Sequence, residues 1–232
     1  MWRSWRVPKE QRVVRDHVEK IATYSKNVAR MIKRYYNRNS EIIYPPVDTA
    51  KFGCKGYEDL FLVVQRLELV KRTSLIIEAF KRMPDKKLLI VGEGPEKKRL
   101  KKLAKNCKNV QLIGSIGEKE LLDLYARCLA TIYIPIDEDF GLIPVESMVA
   151  GKPCIVANEG GLKETVVDGK TGFLIEPTVK NLIRAIRDLT PEKAEKMKQD
   201  CVKRAKKFDI SVFYEKFDEI VKRAIEEPKI SC

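Results

Sequence analysis

The chain has 232 residues, 44 % of them hydrophobic, so it can bury a sizeable core as one large domain or as one domain with a long appendage. No run of about 18 apolar residues occurs, which argues against a membrane-spanning helix, and the charged start "MWRSWRVPKEQRVVRD" has no signal-peptide character. We therefore expect a cytoplasmic protein. The net charge of +13 suggests an anionic partner (nucleic acid, a membrane surface or a phosphorylated small molecule), with a lysine-rich solvated surface as the alternative.

The first predicted element is a basic amphipathic helix over residues 12–36, because apolar side chains recur there at helical spacing. His17, the only histidine, falls on the apolar face of this helix and is interpreted as a packing residue. A short strand is predicted at Ile42–Tyr44, and the stiff Pro45-Pro46 pair that follows it indicates a hinge. We therefore expect a domain boundary at this hinge, which divides the chain into residues 1–47 and residues 48–232.

After the hinge, continuous apolar runs alternate with helical patterns. The predicted strands are 60–64, 87–91, 110–113, 130–134, 154–157 and 172–175. Such an alternation predicts an α/β fold with a doubly wound, Rossmann-like six-stranded parallel sheet that has helices on both faces. Residues 178–227 are predicted to be helical, which adds a C-terminal helical segment to the N-terminal one.

The six cysteines are scattered and contain no CxxC pair. A free cysteine inside an apolar pattern behaves as a small hydrophobic residue. The sequence therefore favours neither a disulfide framework nor a zinc site.

Ligands of doubly wound sheets bind beyond the carboxyl ends of the strands, and for the common order 3-2-1-4-5-6 the crevice lies between the first and fourth strands. After the first strand, "QRLELVK" places Arg66 and Lys71 across a loop, where two cations suit a diphosphate. The alternative is that both are ordinary surface residues. After the second strand, Gly92 and Gly94 form a tight turn of phosphate-loop type, but the third glycine of a dinucleotide fingerprint is absent.

After the fourth strand comes "IDEDFGLIPVESMVAGKP", residues 136–153. A helix beginning near Leu142 would leave the N–H groups of residues 141–143 free to attract an anion, and glycine at 141 permits close approach of a ligand. Glu138 and Glu146 can face one cavity and accept hydrogen bonds from sugar hydroxyls. Two alternatives are a glycosidase-type carboxylate pair and a divalent metal held by the DxD pattern of residues 137–139.

The core "E-x-FG-x-x-P-x-E", followed by "AGKP" and "GGLKETVVDGKTGFL", resembles the C-terminal domain of family-4 retaining glycosyltransferases of GT-B fold. "IIYPPVD", "RLELVKRTSLIIEAF" and "LLIVGEGPEKKRL" occur in the order and spacing of that family. The likeness covers nearly the whole chain and is greatest to mannosyltransferases that build lipopolysaccharide or other cell-surface glycans.

This resemblance implies a role for each matching residue. Arg66 and Lys71 would hold the donor diphosphate and stabilise the charge on the leaving nucleotide, and Glu138 would contact the donor sugar; these three are the expected catalytic residues. The further expected substrate-binding positions are Gly92 in the phosphate turn, Gly114, Ser115 and Ile116 beside the base, the backbone of Phe140, Gly141 and Leu142, and Glu146 at the ribose. No cofactor and no bound metal are implied. One departure is Gln65, which stands where the family has a glycine.

The resemblance also implies that residues 1–47 are the end of an acceptor-binding domain and that residues 48–232 form the donor-binding domain. The expected function is transfer of mannose from GDP-mannose to a glycan or lipid-linked acceptor with retention, with an N-terminal domain, a separate acceptor-binding chain or a homodimer as partner, and with peripheral contact to the inner face of a membrane. A non-catalytic nucleotide-sugar binding module is the first alternative. A nucleic-acid-binding protein is the second, and the lack of clustered aromatic residues disfavours it.

Overall fold

The computed structural model describes residues 12–14 and 18–226. It contains a six-stranded parallel sheet and a separate pair of short strands, β1 (Ala22–Thr23) and β2 (Glu41–Ile42). The strands of the large sheet are β3 (Leu60–Val64), β4 (Lys87–Val91), β5 (Val110–Gly114), β6 (Ala130–Tyr133), β7 (Cys154–Ala157) and β8 (Gly172–Ile175). Their order across the sheet is β5-β4-β3-β6-β7-β8. The predicted sheet and the predicted order of its strands are confirmed, and β3 and β6 flank the position where the order reverses.

Helices cover both faces of this sheet. The α-helices are α1 (Lys26–Tyr36), α2 (Thr73–Lys81), α3 (Lys97–Leu103), α4 (Glu118–Arg127), α5 (Leu142–Val149), α6 (Leu162–Thr165), α7 (Val179–Asp188), α8 (Pro191–Ala205) and α9 (Ile210–Glu226). Alternate residues of a strand point to opposite faces, so Phe61 and Val63 pack in the larger core with α2, whereas Leu62 packs in a smaller core with Tyr125 of α4. All four side chains are fully buried, as expected for a parallel sheet.

The leading segment differs from its prediction. Residues 12–14 are helical, but Ala22–Thr23 forms strand β1, which pairs in parallel with strand β2, Glu41–Ile42. The Ser25 side chain then accepts a hydrogen bond from the Val28 N–H (3.0 Å) and caps α1 as a separate helix. The prediction of one continuous helix over residues 12–36 was therefore wrong, because apolar spacing persists across a break that backbone pairing and a cap create. His17 lies outside the described residues.

The predicted C-terminal helical segment consists of three helices, α7, α8 and α9, with a 3₁₀ turn at Lys206–Phe208. In the described part of the chain, no helix combines the length and the apolar character needed to cross a bilayer.

Candidate active site

The loops that follow β3 and β6 lie side by side, because these strands are neighbours in the sheet. The N–H of Ile136 donates a hydrogen bond to the carbonyl of Val70 (2.8 Å) and ties the two loops together. A cavity of about 530 Å³ opens beside them. Its lining includes five of the residues predicted from the sequence, Arg66, Lys71, Gly92, Ser115 and Ile116, together with Tyr133, which was not predicted.

Lys71, Tyr133 and Glu138 form a connected polar group at this edge. The Lys71 ammonium donates to the Glu138 carboxylate (2.7 Å) and to the Tyr133 hydroxyl (3.0 Å), and that hydroxyl donates to Glu138 (2.7 Å). The side chains of Lys71 and Glu138 are 21 % and 22 % exposed, so their attraction is screened less than that of a surface pair. Burial, followed by the hydrogen bond to Glu138, raises the pKa of Tyr133 above its ordinary value. Tyr133 is therefore a neutral hydrogen-bond donor at every physiological pH.

Arg66 lines the same cavity but does not contact this group. Its side chain is 71 % exposed and pairs with Glu68, two residues along the chain. The structure thus brings Lys71 and Glu138 together and leaves Arg66 at the solvent-facing rim, where a long side chain can turn towards a ligand.

Gln65 has a definite role in positioning Lys71. It is 8 % exposed, and its side-chain amide donates to the Lys71 carbonyl (3.2 Å) and to the Thr73 hydroxyl (2.8 Å). Its side-chain carbonyl oxygen has no hydrogen-bond partner among the described residues. The residue that departs from the family pattern therefore braces the loop that carries Lys71.

Arg72 fixes the other end of that loop. Its backbone adopts a left-handed conformation (φ 51°), which is costly for a residue other than glycine. Its guanidinium forms a bidentate pair with Glu159 (3.0 and 3.1 Å) in the loop that follows β7. Neither residue was predicted from the sequence, because an arginine and a glutamate on so charged a chain carry no distinguishing signal.

Helix α5 begins at this edge with unpaired donors. Gly141 precedes it with φ 84°, and within residues 12–14 and 18–226 no protein acceptor pairs with the N–H groups of Gly141, Leu142 and Ile143. The Phe140 ring points away from the edge and packs against Tyr44 and Phe208, so Phe140 can offer a ligand only its backbone. An exposed helix start of this kind attracts anions.

The pair Gly160-Gly161 supports the turn that carries Glu138. The Gly161 N–H donates to the Glu138 carbonyl (2.7 Å), and a Cβ built on Gly160 would lie 2.3 Å from the same oxygen. This close approach requires glycine at both positions. The sequence offered these glycines only as part of a family motif, without their structural purpose.

Glu146 and Glu138 make different contacts. Glu146 accepts a hydrogen bond from the hydroxyl of the fully buried Tyr125 (2.7 Å), whereas Glu138 accepts from Lys71 and Tyr133. Neither carboxylate lines the 530 Å³ cavity. Both stand near Tyr133, whose pKa each of them raises. Burial raises the pKa of Glu146, and the hydrogen bond from Tyr125 opposes that shift.

Because the pKa of Glu146 is raised, its replacement by an uncharged residue is expected to increase the stability of the protein in a pH-dependent way. A carboxyl group whose pKa is raised by folding stabilises the folded state most when protonated, and this contribution is lost as the pH rises through its folded pKa. We therefore expect Glu146→Gln to be more stable than the wild type at pH 7, on the order of 1 kcal/mol or less, with the difference shrinking towards pH 4. Urea denaturation at both pH values measures it, with the exposed Glu215→Gln as control. A less stable Glu146→Gln protein at pH 7 would contradict the prediction.

The loop after β5 closes the far side of the cavity. Gly114 has φ 82°, and a Cβ there would lie 2.7 Å from the carboxylate of Glu93. Glu93 pairs with Lys97 and also accepts from the Ser115 N–H, and both interactions lower its pKa. Glu93 was not predicted, and it adds a carboxylate to the side on which the sequence predicted base contacts.

Comparison with known proteins identifies the family of the chain. Residues 47–208 match the family described as "Glycosyl transferases group 1". The chain belongs to this family. It is 41 % identical over 112 residues to the alpha-1,3/1,6-mannosyltransferase ALG2 of Dictyostelium discoideum, an overlap of 47 % of this chain and 27 % of that protein. It is 30 % identical over 153 residues to the N-acetyl-alpha-D-glucosaminyl L-malate synthase of Bacillus anthracis, covering 62 % and 40 %.

Solved structures share the fold. A glycosyltransferase from Rickettsia africae superposes with a TM-score of 0.84 at 19 % identity, covering 95 % of this chain and 68 % of that one. Anabaena Alr3699/HepE in complex with UDP and glucose superposes with a TM-score of 0.83 at 19 % identity, covering 93 % of this chain and 66 % of that one. The chain spans half or less of the length of the curated relatives it matches first. The predicted fold class and family are confirmed.

Proposed function

We propose that this chain is the donor-binding half of a retaining glycosyltransferase that transfers mannose from GDP-mannose to a glycan or lipid-linked acceptor. The observation that carries the proposal is the Lys71–Tyr133–Glu138 group, which stands beside a cavity and beside the unpaired N–H groups that begin α5. Mannose is favoured because relatives in Dictyostelium discoideum and mouse are named mannosyltransferases.

In this proposal, the positive loop holds the donor diphosphate. Lys71 and Arg66 neutralise its oxygens and stabilise the negative charge that develops on the leaving nucleotide. The N–H groups at the start of α5 lie on the same edge of the sheet and can donate further hydrogen bonds to the phosphate oxygens. Glu138 accepts hydrogen bonds from hydroxyls of the donor sugar once the ligand draws Lys71 away from it, and Gly92 lets the backbone approach the phosphates.

The nucleoside is proposed to extend away from this group. The backbone of Gly114, Ser115 and Ile116 would contact the base, and Glu146 would accept hydrogen bonds from the ribose. That a structure of the same fold is described with UDP and glucose supports a nucleotide sugar as the ligand class.

Two exposed apolar faces support the proposal of a partner. In α1, Met31 and Tyr35 are 45 % and 54 % exposed, and in α9, Tyr214 and Phe217 are 57 % and 46 % exposed. We propose that residues 1–47 belong to an acceptor-binding domain and that residues 48–232 form the donor-binding domain. The two apolar faces would then contact the remainder of the acceptor-binding domain, a separate acceptor-binding chain or a second copy of this chain. When the acceptor is lipid-linked, this assembly would lie beside a membrane.

A thermal-shift panel tests donor binding. With ligand at about 100 times its Kd, stabilisation of about 2.7 kcal/mol is expected, which for a domain of this size raises Tm by about 5–10 °C. The panel compares GDP-mannose, GDP, UDP-glucose, UDP-N-acetylglucosamine and UDP. We expect the largest shift with GDP-mannose. No shift with any of the five would overturn the proposed site, and a larger shift with a uridine nucleotide would overturn the proposed base.

Transfer is tested separately from binding. Release of GDP from GDP-mannose is followed in the presence of an acceptor extract, with and without a candidate acceptor-binding chain. We expect release with that chain present. Binding without release in either condition would favour the non-catalytic binding module.

A further inference from the structure

A second cavity, of about 560 Å³, lies between the start of α1, helix α6 and the junction of α8 with α9. We refer to it as the α8–α9 cavity. Among the described residues that line it are five basic side chains and one carboxylate: Lys26, Arg204, Lys206, Lys207, Lys216 and Glu164. Such an excess of cations around one concave space is a place for an anion.

The single carboxylate does not neutralise these cations. One oxygen of Glu164 accepts from the backbone N–H of Asn27 (2.7 Å), and the other accepts from the backbone N–H of Lys26 (2.8 Å) and the Tyr44 hydroxyl (3.3 Å). Glu164 therefore caps the N-terminus of α1, where the helix dipole compensates its charge.

Arg204 is held in place without an acidic partner. It is half-buried, and its guanidinium donates to the backbone carbonyls of Thr165 (3.0 Å) and Glu164. These carbonyls fix the orientation of the guanidinium, and the Glu164 carboxylate acts on its charge through space without an ion-pair contact. A planar guanidinium oriented in this way can engage phosphate oxygens.

The four lysines of the α8–α9 cavity also lack acidic partners. Across the described ranges, Lys26, Lys206, Lys207 and Lys216 have no carboxylate within ion-pair distance. The lack of an ion pair does not by itself distinguish these lysines on so basic a surface. What distinguishes them is that they line one concave space together with Arg204 and a single carboxylate.

Aromatic side chains separate this cavity from the candidate active site. Tyr44 lines the cavity and stacks on Phe140 (ring centres 5.4 Å apart), and Phe208 packs edge-on against both rings. Phe140 immediately precedes Gly141 at the start of α5. The two cavities share no lining residue, so a ligand in the α8–α9 cavity does not occupy the 530 Å³ cavity of the candidate active site.

We infer that the α8–α9 cavity is a second binding site, specific for a phosphate-bearing ligand. Three or more ammonium groups and one oriented guanidinium can surround a phosphate dianion, and the Tyr44 ring can pack against the group to which the phosphate is attached. The phosphate can belong to a lipid headgroup or to a soluble compound, since both present the same oxygens. The inference does not depend on the proposed glycosyl transfer.

Nuclear magnetic resonance with ¹⁵N-labelled protein distinguishes the two sites. Inorganic phosphate, and then pyrophosphate, is titrated while the backbone amides of residues 204–208 and of Gly92 are followed. We expect saturable shifts at residues 204–208 with inorganic phosphate. Lys206→Glu/Lys207→Glu is expected to weaken this binding by about tenfold or more, because charge-assisted contacts are lost, without changing the response of Gly92 to pyrophosphate.

The matched control is Lys102→Glu/Lys105→Glu, which makes the same charge change at exposed positions of and beside α3. Lys216→Glu on the exposed face of α9 serves if the first variant does not fold. The inference is overturned if residues 204–208 do not respond, or if the control weakens binding as much as the cavity variant does.

Vesicles identify the source of the phosphate. Co-sedimentation with phosphatidylcholine vesicles that contain phosphatidic acid, lost on removal of phosphatidic acid and in Lys206→Glu/Lys207→Glu, would identify a lipid headgroup. Saturation by inorganic phosphate without vesicle binding would identify a soluble compound. Either result supports the site, whereas vesicle binding that Lys206→Glu/Lys207→Glu leaves unchanged would assign membrane contact to another surface.

Discussion

A Lys71→Met protein is expected to bind GDP about 10- to 100-fold more weakly than the wild type and to bind guanosine equally well. The Lys71 ammonium lies at the cavity edge within 2.7 Å of Glu138, and in the proposed complex it moves onto the diphosphate. Losing one charge-assisted contact of this kind costs about 1.5–3 kcal/mol, which corresponds to that range of affinity. Titration calorimetry with GDP and with guanosine measures both values.

Two further variants sharpen this prediction. Lys81→Met removes a lysine that pairs with Glu78 on the surface of α2 and is expected to leave both affinities unchanged. Glu138→Gln releases Lys71 from its internal partner, so GDP affinity should be equal or higher. If Lys71→Met weakened guanosine and GDP alike, Lys71 would be supporting the fold of the loop rather than contacting the diphosphate.

The sheet could be predicted from the sequence because its strands are buried on both faces. A run such as residues 60–64 has no polar side chain, and its length and flanking turns leave a strand as the simplest reading. The strand order then follows from the preference for doubly wound connections. The leading helix was mispredicted because the break in it depends on non-local contacts. Strands β1 and β2 pair residues about 19 positions apart, and such pairing leaves no trace in the apolar periodicity of the sequence.

The site was only partly predictable. Lys71 and Glu138 could be predicted because ligands of a doubly wound parallel sheet bind beyond the carboxyl ends of its strands, and both residues follow such strand ends. Tyr133 and Tyr125 were not, since Tyr133 ends a largely apolar strand and Tyr125 lies on the buried face of an amphipathic helix. Their hydroxyl partners become visible only when β6, α4 and α5 are packed together. Gln65 was noted as a departure from the family pattern, but its hydrogen bonds to the Lys71 carbonyl and to Thr73 depend on the path of the whole loop.

The largest expected effect on stability is that of Gly161→Ala. Its φ of −77° suits alanine, so the cost is purely steric: the new Cβ would lie 1.9 Å from the Asp139 carbonyl oxygen and 2.8 Å from the Phe140 Cα. Backbone atoms cannot rotate away as a flexible side chain can, so the turn that carries Glu138 must move. We expect a loss of about 3 kcal/mol in the free energy of unfolding, measured by urea denaturation, together with weaker binding of GDP-mannose.

Gly53→Ala is the matched control, because it makes the same chemical change where no atom lies within 4 Å of the new Cβ. Adding a methyl group there restricts the unfolded chain without creating a clash, so this variant is expected to be unchanged or more stable by up to about 1 kcal/mol. Opposite signs for the two alanines would show that contact with the Glu138 turn, rather than loss of glycine, sets the cost. A Gly161→Ala protein within 1 kcal/mol of the wild type would mean that the turn is free to move, and Glu138 would then lack the rigid support that its proposed contact with the sugar requires.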